Sequence, residues 1–139
     1  MTELTNTIKL PAGGGFRLGP IAQIAVRVHD LERAAAFYEQ VLGLKLLLRS
    51  QDMAFFDAGG VRLMLSRPEQ AEFDHPSSIL YFAVADVRAA YQALVERGVR
   101  FMGPPHQVAR LSTGELWMAF FRDSEQNLLA LSAEQPASE

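Results

Sequence analysis

The sequence predicts an α+β fold built from two tandem βαβββ units. Three observations carry that expectation. The tetrapeptide MAFF occurs at Met53–Phe56 and again at Met118–Phe121, and each copy runs through a polar turn into an apolar stretch ending on Leu-Ser. A second pair of segments, "IAQIAVRVHDLERAAAFYEQVLGL" from Ile21 and "ILYFAVADVRAAYQALVERGV" from Ile79, matches in the same order. Asp30 and Asp86 lie 56 positions apart, the two MAFF copies 65, and the closing Leu65-Ser66 and Leu131-Ser132 pairs 66. The extra residues fall in "GPPHQVARLSTGE", and insertions collect in loops, so the drift is that of a duplicated unit.

Each element follows from its period. Ile21 to Val28 is mostly apolar and β-branched, which predicts a strand. Asp30 is the expected N-cap of the next helix, its carboxylate accepting from first-turn N–H groups. Leu31, Ala34, Tyr38, Val41 and Leu42 follow at helical spacing, and Gly43 stands where a left-handed C-terminal cap belongs. Three shorter strands are predicted after it, Lys45 to Arg49, Met53 to Asp57 and Val61 to Ser66. The second unit repeats the plan with a strand from Ile79 to Ala85, a cap at Asp86 and the stripe Val87, Ala90, Tyr91, Leu94, closed by Gly98. Its remaining strands are read at Arg100 to Met102 with an open continuation, Leu116 to Arg122 and Asn127 to Ser132. Residues 1–20 are expected to form a flexible leader, 21–132 the domain (units 21–68 and 78–132) and 133–139 a disordered tail.

The composition narrows the function classes. The chain has 139 residues, 49% of them hydrophobic and 21% charged, which suits one soluble globular domain. A net charge of -3 without a Lys/Arg cluster argues against nucleic acid as a partner. The absence of cysteine removes disulfides, thiolate nucleophiles and Cys-ligated zinc. No apolar run approaches the roughly 20 residues of a membrane span. No basic region precedes an apolar one at the N-terminus, so a cytoplasmic location is expected. The run Gly13 to Gly15 reads as a hinge, since no Lys-Ser/Thr follows it to hold phosphate.

The paired units and the segments "VHDLERAAAFYEQVLGL", "YFAVADVRAAYQALVERGV" and "FFRDSEQNLLAL" resemble the vicinal oxygen chelate superfamily of glyoxalases, bleomycin resistance proteins and extradiol dioxygenases. The last segment resembles the family's closing Asp-Pro-x-Gly-Asn-x-x-Glu-Leu pattern, with Ser124 and Gln126 in place of its Pro and Gly. The resemblance spans about Ile21 to Ser132. It implies that the two units form a curved mixed sheet around a cup, with the helices outside. It also implies a homodimer, in some members with units exchanged and sites shared across chains.

In metal-dependent members, ligands stand on the first and fourth strands of each unit. Those slots carry over to Gln23, Met64, Ile79 and Ala130. A catalytic divalent ion takes roughly three or more N or O protein ligands, and only Gln23 offers one. His29, His75 and His106 show no paired-ligand spacing. No metal and no other cofactor is therefore expected.

Strand alternation assigns the cup face. Gln23, Ala25 and Arg27 share one side of the first strand. A tight turn centred on Ala58-Gly59 would set Phe55 opposite Arg62 and Met53 opposite Met64. Transfer by the repeat adds Ile79, Tyr81, Ala83, Met118, Phe120, Leu128 and Ala130. Trp117 is expected to point toward the helix layer, and Glu115 to be a solvated loop charge rather than a base. The candidate ligand-binding set is Gln23, Arg27, Phe55, Arg62, Met64, Tyr81, Met118 and Phe120. An apolar, Met- and aromatic-rich wall with a few polar groups suits a hydrophobic or planar aromatic small molecule. The expected function is metal-independent small-molecule binding. The alternatives are a glyoxalase-like lyase or isomerase, or a dioxygenase-related enzyme, with a non-standard metal site, and an accessory domain whose pocket is collapsed. No catalytic residue is assigned.

Overall fold

The computed structural model describes residues 9–10, 13 and 15–137. The elements run in the order β1 (Gln23–Arg27), α1 (Leu31–Ala36), β2 (Lys45–Arg49), β3 (Met53–Asp57), β4 (Arg62–Ser66), β5 (Leu80–Ala83), α2 (Val87–Glu96), β6 (His106–Leu111), β7 (Gly114–Arg122) and β8 (Leu128–Gln135). A π-helical turn, Phe37–Val41, extends α1, and a 3-10 turn, Ala71–Phe73, lies in the connection between units. The order is βαβββ twice, as the repeat requires. Of the expected leader, residues 1–8, 11, 12 and 14 lie outside the described residues, and the rest form no helix or strand. Strand β8 continues to Gln135, past the Ser132 boundary expected for the domain.

Two four-stranded mixed sheets result, ordered β1-β4-β3-β2 and β5-β8-β7-β6. The first and last strands of each unit pair in parallel, Ala25 with Met64 and Tyr81 with Ala130. These pairs are related by the sequence repeat itself, so the two registers agree. Each second strand carries a bulge, between Leu46 and Leu48 and between Gln107 and Ala109.

The caps form as read. Asp30 accepts from the N–H of Arg33 and Asp86 from those of Arg88 and Ala89. Gly43 and Gly98 adopt φ of 80° and 92°, left-handed values that terminate the helices without a Cβ clash. Alternation then divides each sheet. Val26, Ala54, Phe56, Leu63 and Leu65 are buried on the helix side of the first sheet, and Ala119, Phe121, Leu129 and Leu131 on that of the second. With Tyr38, Val87 and Leu94 they form one continuous core across both units. Trp117 packs against that core beneath Arg88 of α2, whose guanidinium carbon lies 5.2 Å from a Trp117 ring centroid.

Three sequence expectations are corrected. The sixth strand is His106–Leu111 rather than Arg100–Met102, of which only Phe101 makes an isolated bridge, to Phe121. The β3–β4 loop is longer than a two-residue turn: Ala58 N–H donates to the Val61 carbonyl, with Gly59 and Gly60 at φ of 73° and 95° between them. Phe55 therefore faces Met64, Met53 faces Ser66 and Asp57 faces Arg62. A two-residue slip leaves every side chain on its assigned face, because the strand period is two. Glu115, expected in a solvated loop, is 3% exposed inside β7, where it accepts from Trp117 Nε1 at 3.1 Å and lies 3.6 Å from Arg110.

Candidate functional site

The face of the first sheet opposite the core carries Gln23, Ala25 and Arg27 on β1, Met53 and Phe55 on β3, and Arg62, Met64 and Ser66 on β4. Four of these form one cluster. Arg62 Nε donates to Gln23 Oε1 at 2.8 Å, and its guanidinium carbon lies 5.3 Å from the Phe55 ring centre. Gln23 Nε2 points at Met64 Sδ, 3.6 Å away. The carboxamide is thus oriented by a cation at one end and a thioether at the other. Leu48, opposite Phe55 and 58% exposed, extends the apolar wall, and sequence reasoning passed over it.

Arg27 lies at the other end of β1, beside a cavity of about 330 Å³ lined by Ala25, Met53, Met64, Phe73 and His75 among others. Its guanidinium pairs with Asp74 at 3.1 Å, and its backbone N–H donates to Ser77 Oγ. Met64 borders both the cavity and the Gln23–Arg62 cluster, so the two ends form one continuous face.

The second sheet presents a different surface. Tyr81 on β5 meets Phe120 on β7 edge-on, with centroids 6.0 Å apart and planes at 80°. His106 stacks on the other side of Phe120 at 6.2 Å and 27°. Met118 is paired with His106 across β6 and β7. Gly103-Pro104-Pro105 gives His106 the look of a loop residue in the sequence, and β6 is what brings it into the ring cluster.

The cavity beside Arg27 is built from the first unit and the connection that follows it. The cavity lining runs from residue 25 to residue 77 and includes nothing from the second sheet. Tyr81 is 49% and Ile79 39% exposed. The β1 edge away from β4 and the β5 edge away from β8 carry no named strand partner among the described residues.

A buried polar clamp fixes one unit on the other. Asp123 is 3% exposed and accepts from Tyr38 Oη at 2.6 Å, Asn127 Nδ2 at 2.8 Å and the backbone N–H groups of Glu125 and Asn127. Burial, then the neighbouring Asp123 charge, pushes the Tyr38 hydroxyl pKa well above its ordinary value. Asn127 also donates to the Arg27 carbonyl at the end of β1. Burial alone would raise the Glu125 carboxyl. Hydrogen bonds from Arg33, the N–H groups of Asp30 and His29, and Ser124 outweigh it and hold the pKa at about 2. These groups join the turn after β7 to the start of α1 and are structural in role.

The metal slots implied by the family pattern can be tested against these contacts. Gln23 and Met64 lie on the first sheet, Ala130 lies on the second, and Ile79 stands one residue before β5. They offer one amide oxygen, one thioether and two hydrocarbon side chains, and the amide oxygen already accepts from Arg62. That donor set does not fit a divalent transition ion. Among the described residues no three His, Asp or Glu side chains cluster in a ligand-like group.

Known proteins fit this architecture. Residues 20–131 match the model of the Glyoxalase/Bleomycin resistance protein/Dioxygenase superfamily. The uncharacterised protein YraH of Bacillus subtilis is 30% identical over 125 residues, covering 80% of this chain and 95% of YraH. A metallothiol transferase, FosB of Lysinibacillus sphaericus, is 44% identical over 46 residues, 33% of either chain. An integron cassette protein of Vibrio cholerae has the same fold, with a TM-score of 0.72 at 22% identity over 88% of this chain and all of that one.

Proposed function

We propose that this chain, which belongs to the Glyoxalase/Bleomycin resistance protein/Dioxygenase superfamily, is a small-molecule-binding protein. It takes a hydrophobic or planar aromatic ligand and uses no transition metal. The observation that carries this reading is the pair of open faces, one with Phe55, Met64 and a fixed Arg62, the other with Tyr81, Met118 and Phe120. Such a wall buries an apolar ligand body, and few polar groups orient it. The functional unit is a homodimer in which the first sheet of one protomer faces the second sheet of its partner. The unpaired β1 and β5 edges support this, because an open strand edge is a ready template for another chain. Arg27, already paired with Asp74, borders the ligand rather than anchoring it.

A second reading, an enzyme of the same superfamily, is favoured by the short stretch shared with the metallothiol transferase. Elemental analysis of protein purified without chelator separates the two. Binding without metal predicts a substoichiometric transition-metal content, and a stoichiometric ion contradicts it. A thermal-shift series with planar aromatic compounds tests the pocket, since a ligand specific for the folded state raises the melting temperature. A flat response across the series would mean that the faces are closed against each other.

A further inference from the structure

Three arginines stand on or beside the open face of the first sheet, and two are neutralised. Arg27 is held by Asp74 at 3.1 Å and Arg67 by Asp52 at 3.0 Å. Arg62 forms no ion pair within 4.0 Å among the described residues. Asp57 lies opposite it in the β3–β4 register, but that carboxylate accepts from the Gly60 N–H at 3.1 Å instead. Arg62 is nonetheless well fixed. Its Nε is tied to Gln23 Oε1, its carbon lies over the Phe55 ring, and the residue is exposed, so among the described residues its terminal N–H groups keep donors to offer a ligand.

Gln23 and Met64 are the first sheet's two metal slots, and both are engaged in this cluster. The one oxygen that could have met a metal ion meets a guanidinium, and the remaining amide hydrogens turn to the Met64 sulfur. A divalent cation there would have to displace Arg62 and then sit beside its charge. We infer that the Arg62 guanidinium supplies the cup's positive charge in place of a metal, and that it selects ligands carrying a carboxylate on a planar aromatic body. The inference rests on the ligand-binding reading above. The physical basis is the planar fork of the guanidinium, which matches a carboxylate in a two-point contact. A ligand ring then lies along Phe55 and Met64.

Calorimetric titration of the full chain with benzoate, cinnamate and 2-naphthoate, each beside its neutral amide, tests this. Each acid should bind about tenfold or more tightly than its amide, as a charge-assisted bidentate contact requires. Arg62→Met should abolish the difference between each acid and its amide. Arg62→Lys should retain part of the preference, as a charge without the fork. Arg100→Met, which removes a charge elsewhere, should change neither series. Unfolding midpoints check that each variant remains folded. Acids and amides binding equally to the wild-type chain, or a preference surviving Arg62→Met, would overturn the charge role and leave the aromatic cup standing. Binding of neither series would overturn both.

Discussion

Phe56 and Phe121 occupy equivalent places in the two units, and each is fully buried in the shared core. One residue earlier in each copy, Phe55 and Phe120 turn to the open side, and there the units diverge. Phe55 lies under a guanidinium held by a carboxamide, whereas Phe120 sits between a tyrosine and a histidine. The buried halves of a duplicated unit are held alike by packing, because both must fill the same layer between sheet and helix. The open halves are free to specialise, one toward charge and the other toward ring surface. The turns after β3 and β7 diverge too. The first is a glycine-rich loop closed on itself, and the second reaches back to α1 through Asp123 and Glu125.

The largest test of that asymmetry is at the turns. Asp123→Ala leaves the buried Tyr38 hydroxyl and two backbone N–H groups without their acceptor. It should cost about 3 kcal/mol or more in denaturant unfolding. Asp57→Ala, in the corresponding turn, loses one exposed hydrogen bond to Gly60 and should cost a small fraction of that. Equal costs would mean that the second turn is no clamp.

Glu125 sharpens the point through pH. Its folded pKa of about 2 lies below the ordinary 4.5. A depressed carboxylate stabilises the fold above its unfolded pKa, and that contribution fades as pH falls from 4.5 toward 2. Glu125→Gln should therefore cost on the order of 3 kcal/mol at pH 7 and progressively less on the acid side of that window. A pH-independent difference between the two chains would contradict the account. The smallest effect is a gain. Gln126 has a φ of 70°, where the family pattern has glycine. Gln126→Gly should stabilise the second turn by up to about 1 kcal/mol, read as a raised melting temperature.

The duplication and the assignment of faces were legible in the sequence, because a repeated tetrapeptide fixes the units and a period of two survives an even error in turn length. The β3–β4 register differs by two residues from the expected one because the loop runs from Ala58 to Val61, and yet Phe55, Arg62 and Met64 stay on the assigned side. Strand β6 was not legible. Gly103-Pro104-Pro105 looks like loop, and the bulge after Gln107 breaks the alternation that would have announced a strand, so His106 was missed with it. Glu115 reads as loop because Thr113-Gly114 precedes it, and only the placement of Trp117 and Arg110 around it accounts for its burial. The packing of one unit on the other through Tyr38, Asp123 and Asn127 was not legible either. Long-range contacts of that kind leave no local period.

The proposed homodimer builds a complete cup from the charged sheet of one protomer and the aromatic sheet of its partner. Mixing two binding-deficient variants, Arg62→Asp and Tyr81→Asp, tests it most directly. The two chains are refolded together and titrated with cinnamate. Random pairing puts both lesions into one cup of each mixed dimer and leaves its other cup intact, so binding should return at about a quarter of the wild-type sites. Recovery of no sites, with mixed dimers present, would show that each cup is built within a single chain.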